Sequence, residues 1–559
     1  MLLSFGGRAM SIAARPADPD SLPIFDTAAR APRTSLLHYS PALVLILIAI
    51  ADAGRVTDPD LWGHIRFGHA VLAGHRLVLH DPYSYTAPGH LWRNHEWLTE
   101  IVMALVYNAL GVVGLKLWKF ACTTATIVLL SLGTAETGAT PGIQLNTLLV
   151  AAVALMPQME FRPQIFTFAL FAAMLLLLAR HNYRGSAPLW LAIPIMALWA
   201  NLHGGFIMGL FALGLYTGVV ALQDMIGGSG LTRATRLAII TVAAALATLL
   251  TPYGIDTWYA VIHALRNPVT RNAVTDWQPL IFAITTQWHA AHSGVIFYLC
   301  GLGLMAAFAT SYAAVPRGGD LPMAAIAATM CAAAFIAMRN LPLAVIACVG
   351  PISRHMSILS NGSLPFRSSG ASRGSPGATD DIASDEDARP ARSGTNQWIV
   401  AALAVVVVAY TGLFSSRLRE DIRYPAGAAA FMKNHHLYGN VLGDFGWGEY
   451  LIWHCAPQSK VFLDGRYDTV YPFKIIDDYI VFRFDYRDGA AKILDAYPHD
   501  FVLIPPGFEA YEVTLKSARW KLIYRDQDSA LFARADSLAA RIPNIPVSGA
   551  APKESYFPD

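Results

Sequence analysis

Runs of apolar residues long enough to cross a lipid bilayer recur along this 559-residue chain, and they constrain its fold more than any other feature. A helical span needs about 20 predominantly apolar residues. Such runs lie near 38–54, 115–133, 143–157, 163–180, 188–201, 205–224, 236–251, 294–312, 321–338, 341–353 and 397–414. They predict an α-helical polytopic membrane protein of about 11 spans. The composition agrees: only 14% of residues are charged, against about 25% in a soluble domain. Arginines fall in alternate loops, at Arg180 and Arg184, Arg233 and Arg236, Arg317, and from Arg354 through Arg392. With Arg8, Arg15, Arg30 and Arg33 of the tail they mark the cytoplasmic side. An odd number of spans then puts the N-terminus inside and the C-terminal part outside. Lys116 and Lys119 sit at the outer end of the second span and break the bias, either as noise or as anchors for something anionic.

The domain organisation follows from where these runs stop. Residues 1–37 read as a cytoplasmic tail, which contains no cleavable signal peptide. Residues 38–356 read as a membrane domain with a large outer loop at 55–95, and 397–414 as the last span. Segment 357–396 is rich in Ser, Gly, Ala and Asp and reads as a flexible cytoplasmic linker. From 421 to 534 short β-type runs alternate with helical or turn segments, which predicts a small extracytoplasmic α/β domain. Its expected strands are Val441–Leu442, Tyr450–Trp453, Val461–Leu463, Phe501–Ile504, Leu522–Tyr524 and Ala530–Phe532, and 535–559 is read as a flexible tail. Four of the five cysteines lie in apolar runs and Cys455 stands alone in the last domain, so no disulfide framework is expected. The net charge of +2 and scattered basic residues give no argument for a nucleic-acid partner.

Polar residues gather in the outer loops. Loop 55–95 is too long for a connector and holds Asp58, Asp60, His64, Arg66, Asp81, Arg93 and His95, with Glu96 next to it. Asp60 and His64 share a face if helical, so His64 could bond to the Asp60 carboxylate and fix its rotamer. Asp58-Pro59-Asp60 also suits a helix cap, and Asp81-Pro82 a turn. Segment 97–110 carries a polar stripe of Glu96, Glu100 and Tyr107, which suits a helix lying at the membrane interface. Glu160-Phe161-Arg162-Pro163-Gln164 puts charges at the membrane edge, as a local ion pair or as a functional group. Asn201-Leu202-His203-Gly204-Gly205 presents a His in a tight turn, and Arg339-Asn340 interrupts an apolar stretch as an interfacial anchor or a phosphate grip. In the last domain, Gly443 through Tyr450 is dense in glycine and aromatics, and Asp464-Gly465-Arg466 ends an expected strand. No Walker loop, HExxH, CxxC or GxSxG occurs, so ATP, structural zinc and a serine nucleophile have no support.

Asp60-Leu61-Trp62-Gly63-His64, with the later Asp81-Pro82 and Pro88-Gly89, resembles the first outer loop of GT-C glycosyltransferases, and distantly that of oligosaccharyltransferase catalytic subunits. Asn94-His95-Glu96-Trp97, Arg162-Pro163-Gln164 and Trp199 through Gly205 are similar to a set of bacterial GT-C-like membrane proteins. Asp444-Phe445-Gly446 and Leu463-Asp464 resemble the family's W-W-D-Y-G segment and its downstream aspartate, with Leu442-Gly443 in place of the tandem Trp.

The resemblance implies sugar transfer from a polyprenyl-phosphate-linked donor at the outer face of a bacterial inner membrane, to a glycan, lipid or protein acceptor. Asp60 is then the general base, with Asp58, His64 and Glu96 beside it. Arg66, Lys116, Arg162 and Arg339 are the candidates for the donor phosphate. Glu160, Gln164, Asn201, His203, Asp444, Asp464 and Arg466 would line the cavity or the acceptor site. A divalent cation such as Mg or Mn is compatible with Asp58, Asp60 or Glu160, although many relatives work without one. The competing readings are a polytopic lipid or glycan transporter or flippase, and a non-catalytic subunit of the same fold. Transporters place polar residues near the midplane in two related halves, whereas the charges here are in an outer loop and no repeat is found.

Overall fold

The computed structural model describes residues 58–228, 230–266, 275–289, 295–315, 320–360, 423–484, 489–543 and 545–546. The expected tail 1–37, the span at 38–54, the linker beyond residue 360, the span at 397–414 and the far end of 535–559 lie outside the described residues. The chain order begins with α1 (Leu61–Gly74), α2 (Trp97–Glu136), α3 (Pro141–Leu155), α4 (Gln164–Arg184), α5 (Ala192–Leu202) and α6 (Phe206–Ile226). It continues with α7 (Thr232–Ala247), α8 (Asp256–Arg266), α9 (Leu280–His289), α10 (Val295–Ala314), α11 (Leu321–Ile336) and α12 (Leu341–Ser360).

Among the described residues, five helical stretches are long and apolar enough to cross a membrane: α2, α4, α6, α10 and Met338–Ser360, which contains α12. The expected spans at 143–157, 188–201, 236–251 and 321–338 form helices of 15, 11, 16 and 16 residues. At 1.5 Å per residue these reach about 24 Å at most, short of a hydrocarbon core of about 30 Å. Eleven spans are therefore not reached among the described residues. The helices still form one body: α2 packs along α4, and α12 lies against α10 and α11. Its apolar stretch is 67% buried, the most enclosed of the five. Outward-facing Ile239, Leu246 and Ile226 stay exposed, an apolar surface suited to lipid rather than water.

Helix α2 breaks at Gly111, whose positive φ of 57° interrupts a 40-residue run and separates the expected interfacial piece from the following span. The polar stripe of that piece does not face a membrane interface. Glu100 is 2% exposed and turns toward α1, because a buried carboxylate needs hydrogen bonds and opposite charge.

The C-terminal part contributes α13 (Ala426–Asn434), β1 (Asn440–Gly443), α14 (Gly448–Cys455), β2 (Lys460–Val461), α15 (Phe473–Phe484) and α16 (Ile493–Ala496). After them come β3 (Phe501–Ile504), α17 (Glu509–Lys516), β4 (Trp520–Arg525), β5 (Ala530–Arg534) and β6 (Ile545–Pro546). The six strands form one sheet in the order β2-β1-β3-β5-β4-β6. Strand β1 runs parallel to β2 and β3, while β5 is antiparallel to β3 and β4. All four residues of β3 are buried, as a central strand requires.

Tyr450–Trp453, expected as a strand, belongs to α14. The Asp444 carboxylate accepts from Gly446 N at 3.1 Å and starts a helical turn that α14 continues. The aromatic run is needed for packing on α1: Trp62, 1% exposed, meets Tyr450 edge-on at 5.3 Å.

This unit is docked on the outer loop. Ser84 pairs with Val461 as a short parallel bridge, extending the sheet beyond β2. Thr86 Oγ1 donates to Phe462 O at 2.6 Å, and Gly63 N donates to Glu449 Oε2 at 3.0 Å. A Cβ on Gly63 would collide with that Glu449 carboxylate, so the close approach of α1 and α14 requires glycine there.

Candidate active site

A cavity of about 500 Å³ opens where α1, the starts of α2 and α4, the α5–α6 turn and the C-terminal unit meet. Its lining is mixed: it includes Asp60, His64, Glu96, Arg162, Glu449 and Asp468 together with the apolar Phe168, Ile207, Met208, Val261, Leu265 and Leu343. Asp60, His64, Glu96, Arg162, Gln164, His203, Arg339 and Arg466, which the sequence singles out, all line it.

Arg162 organises the polar lining. It precedes α4 and is ion-paired with Asp58, with Asp60 at 3.1 Å, with Asp276 at 3.2 Å and with Glu160 at 3.8 Å. Four carboxylates share one guanidinium, so Arg162 is held by protein groups rather than offered to a phosphate. The same arrangement bears on the metal expectation. The carboxylates of Asp58, Asp60 and Glu160 already surround the Arg162 guanidinium. Asp58 also accepts from Asp60 N at 2.8 Å, a turn bond ahead of α1, while Asp60, at the N-cap position, makes no side-chain capping bond.

Burial pushes Asp58 up to about 6 and Glu160 up to about 7, against the pull of Arg162, because each also faces other carboxylates. A group with a raised pKa is ionised only above the raised value. Activity that needs the full charge of this cluster should therefore rise through about pH 6–7. Glu160→Gln removes a repelling charge from Asp58 and should move that acidic limb to lower pH. The pH profile of kcat/KM measures this, and a limb near pH 4 in the unmodified chain would contradict it.

Glu449 of α14 comes close to Asp60. A Cβ on Gly465 would collide with both carboxylates, so they meet across that glycine. Burial, then repulsion from Asp60 and Asp464, holds the Glu449 pKa well above the usual carboxylate range. Burial thus favours the protonated form of Glu449, while the neighbouring Asp60 accepts a hydrogen bond from Arg162. Two carboxyl groups in unlike surroundings are the arrangement acid–base chemistry uses.

The His64 imidazole does not bond to the Asp60 carboxylate, although His64 N donates to Asp60 O at 3.0 Å in the first turn of α1. Asp60 is drawn to Arg162, and His64, one turn on, faces Glu100 of α2 at 3.6 Å. Burial opposes charge on His64, but Glu100, Glu96 and Asp60 outweigh it and raise its pKa. Glu96 lies 3.5 Å from His203 Nε2 and 3.9 Å from His95 Nε2. Burial lowers the His203 pKa to about 3, so its imidazole is neutral. Arg339 lies over the Trp277 ring at 4.2 Å, and among the described residues no carboxylate is within 4.0 Å of its guanidinium.

Arg66, Lys116, Asn201, Asp444 and Asp464 do not line the cavity. Lys116 is buried in α2. Asn201 is a structural tie, accepting from Trp97 Nε1 and donating to Ala197 O and Leu250 O. Asp444 caps its turn and pairs with Arg483 at 3.3 Å, and Asp464 holds Arg466 in place. Asp276 and Trp277 on the cavity lining went unnamed in the sequence reading, and Glu449, Tyr467 and Asp468 lay inside or beside the stretches it quoted without being singled out as site residues. A carboxylate inside the apolar run 448–453 was the available signal for Glu449.

No family model and no curated protein sequence matches the chain. Among solved structures it is similar to the oligosaccharyltransferase of Archaeoglobus fulgidus in complex with zinc and sulfate. That likeness has 11% identity and a TM-score of 0.47, covering 88% of this chain and 73% of that one. It is also similar to the arabinofuranosyltransferase AftD from Mycobacteria, at 13% identity and a TM-score of 0.45. There the match covers 89% of this chain but only 40% of that one, so the chain spans about two-fifths of that enzyme. With TM-scores below 0.5, these likenesses add no weight to the site, whose chemistry stands on its own residues.

Proposed function

We propose that the chain is a membrane glycosyltransferase that moves a sugar from a polyprenyl-phosphate-linked donor to an acceptor on the extracytoplasmic face of a bacterial inner membrane. The observation that carries this reading is the cavity beside the apolar helices, whose lining joins carboxylates with apolar side chains. A donor with a polar head and an apolar tail matches both kinds of lining. The arginine asymmetry between loops places the cavity outside and the N-terminus in the cytoplasm.

In this reading Asp60 takes the proton from the acceptor hydroxyl as its oxygen bonds to the anomeric carbon. The bond from that carbon to the phosphate oxygen breaks, and the electron pair leaves with the lipid phosphate. Arg339 meets that developing charge, with Trp277 beneath it. Arg162 orients the Asp60 carboxylate through its hydrogen bond, and the C-terminal unit closes the acceptor side with Glu449, Tyr467 and Asp468.

Arg339→Ala tests the phosphate assignment. Charge-assisted hydrogen bonds contribute about 1.5–3 kcal/mol, or about tenfold to a hundredfold in affinity. Binding of a polyprenyl phosphate to the purified chain, followed by native mass spectrometry, should weaken by about that factor. Arg66→Ala, away from the cavity, should leave it unchanged. Equal binding by Arg339→Ala and the unmodified chain would remove the phosphate role.

A further inference from the structure

His64, Glu96 and Glu100 form a group separate from the carboxylates around Arg162. One imidazole nitrogen and two carboxylate oxygens lie within 4.8 Å of one another. Glu96 and Glu100 sit one turn apart at the start of α2, where like charges repel. Glu100 is 2% exposed, and burying such a charge is costly without a counter-charge. Among the described residues no Lys or Arg pairs with either glutamate; their ionic neighbours are His64, His95 and His203.

His64 supplies the second observation. Its side chain is 9% exposed, and its Nδ1 has no hydrogen-bond partner. The 3.6 Å to Glu100 Oε1 is too long for such a bond. It is close to the edge of about 3.4 Å that a tetrahedral ion imposes on nitrogen and oxygen ligands held at about 2.0–2.2 Å. The flanking groups act as a support for ligands. Asn94 Nδ2 donates to Glu100 Oε2 at 2.5 Å. His203 Nδ1 accepts from Thr167 Oγ1 at 2.8 Å and from Gly205 N at 3.0 Å, which leaves its proton on Nε2, toward Glu96. His203 therefore orients Glu96 and is not itself a ligand.

We infer that His64, Glu96 and Glu100 bind a first-row divalent metal ion, Zn2+ or Mn2+, with its remaining coordination positions open to the cavity. An imidazole among the ligands favours these ions over the oxygen-seeking Mg2+ and Ca2+. Three protein ligands with open positions are the pattern of a reactive site rather than a structural one. The inference is independent of the transferase reading: a chain that held the ion and moved no sugar would leave it intact.

The test uses the full chain, purified in detergent with a tag free of histidine, stripped with a chelator and dialysed against ZnCl2. Elemental mass spectrometry should find a single Zn2+ retained per chain. His64→Gln and Glu100→Gln should lower retention by about tenfold or more. Asp58→Asn and Glu160→Gln should retain the ion. Loading the unmodified chain with Mn2+ gives a readout that needs no variant: a pulsed paramagnetic resonance spectrum should show coupling to an imidazole nitrogen. Zinc retention no higher than in His64→Gln would overturn the proposal. So would Mn2+ without nitrogen coupling, or an ion lost with Asp58→Asn instead.

Discussion

Replacing Arg466 by alanine is expected to loosen the C-terminal unit from the outer loop at a cost of about 3–5 kcal/mol. The side chain is 4% exposed and bonds Asp464 at 2.8 Å through Nε and at 2.7 Å through Nη2. Its Nη1 reaches Asp81 at 2.8 Å, so one guanidinium ties the sheet unit to the loop. Phe67, Tyr83 and Trp92 stack around it, with Trp92 at 4.8 Å. Removal leaves Asp464 and Asp81 buried without their cation, which is the costly way to break such a pair. The full chain should melt at lower temperature, and residues 423–546 should become open to protease. Arg466→Lys should recover only part of the loss, because an ammonium cannot reproduce the planar fork. A variant that melts like the unmodified chain would show that other contacts hold the unit.

Asp60→Asn is expected to reduce turnover by about 10²–10⁴-fold, the usual contribution of a general base. The amide keeps the size and most of the hydrogen bonding but cannot take a proton. Stability should change little, because the Asp60 side chain is 23% exposed and Arg162 keeps its pairs with Asp58, Glu160 and Asp276. Membrane levels and melting temperature check folding, and steady-state turnover checks the effect.

The residues that sequence made legible are those whose meaning is local. Asp58, Asp60 and His64 are fixed by their spacing on one helix start, and the apolar runs are fixed by their length. Asp81 was readable as a turn former, and it does accept from Tyr83 N at 3.0 Å and Ser84 N at 3.1 Å. What stayed hidden is set by distant pairing. Arg162 looks like a free cation until Asp60 and Asp276 arrive from 102 and 114 residues away. Glu449 joins the cavity only because α14 docks 386 residues from its partner Gly63. Tyr450–Trp453 has the composition of a strand, and only the capped turn at Asp444 and the packing on Trp62 make it helical. The direction of the Glu100 stripe was equally unreadable, since α1 and not the bilayer covers it.

The central claim is transfer of a sugar from a lipid phosphate with Asp60 as base. It is tested most directly by mass spectrometry of glycolipids and envelope glycans from a deletion strain complemented with the unmodified chain or with Asp60→Asn, at matched membrane levels. The account predicts that a polyprenyl-phosphate-linked sugar accumulates in the deletion strain and with Asp60→Asn. The unmodified chain should consume it and restore the glycan product. Unchanged glycolipids in the deletion strain, or full restoration by Asp60→Asn, would contradict the account.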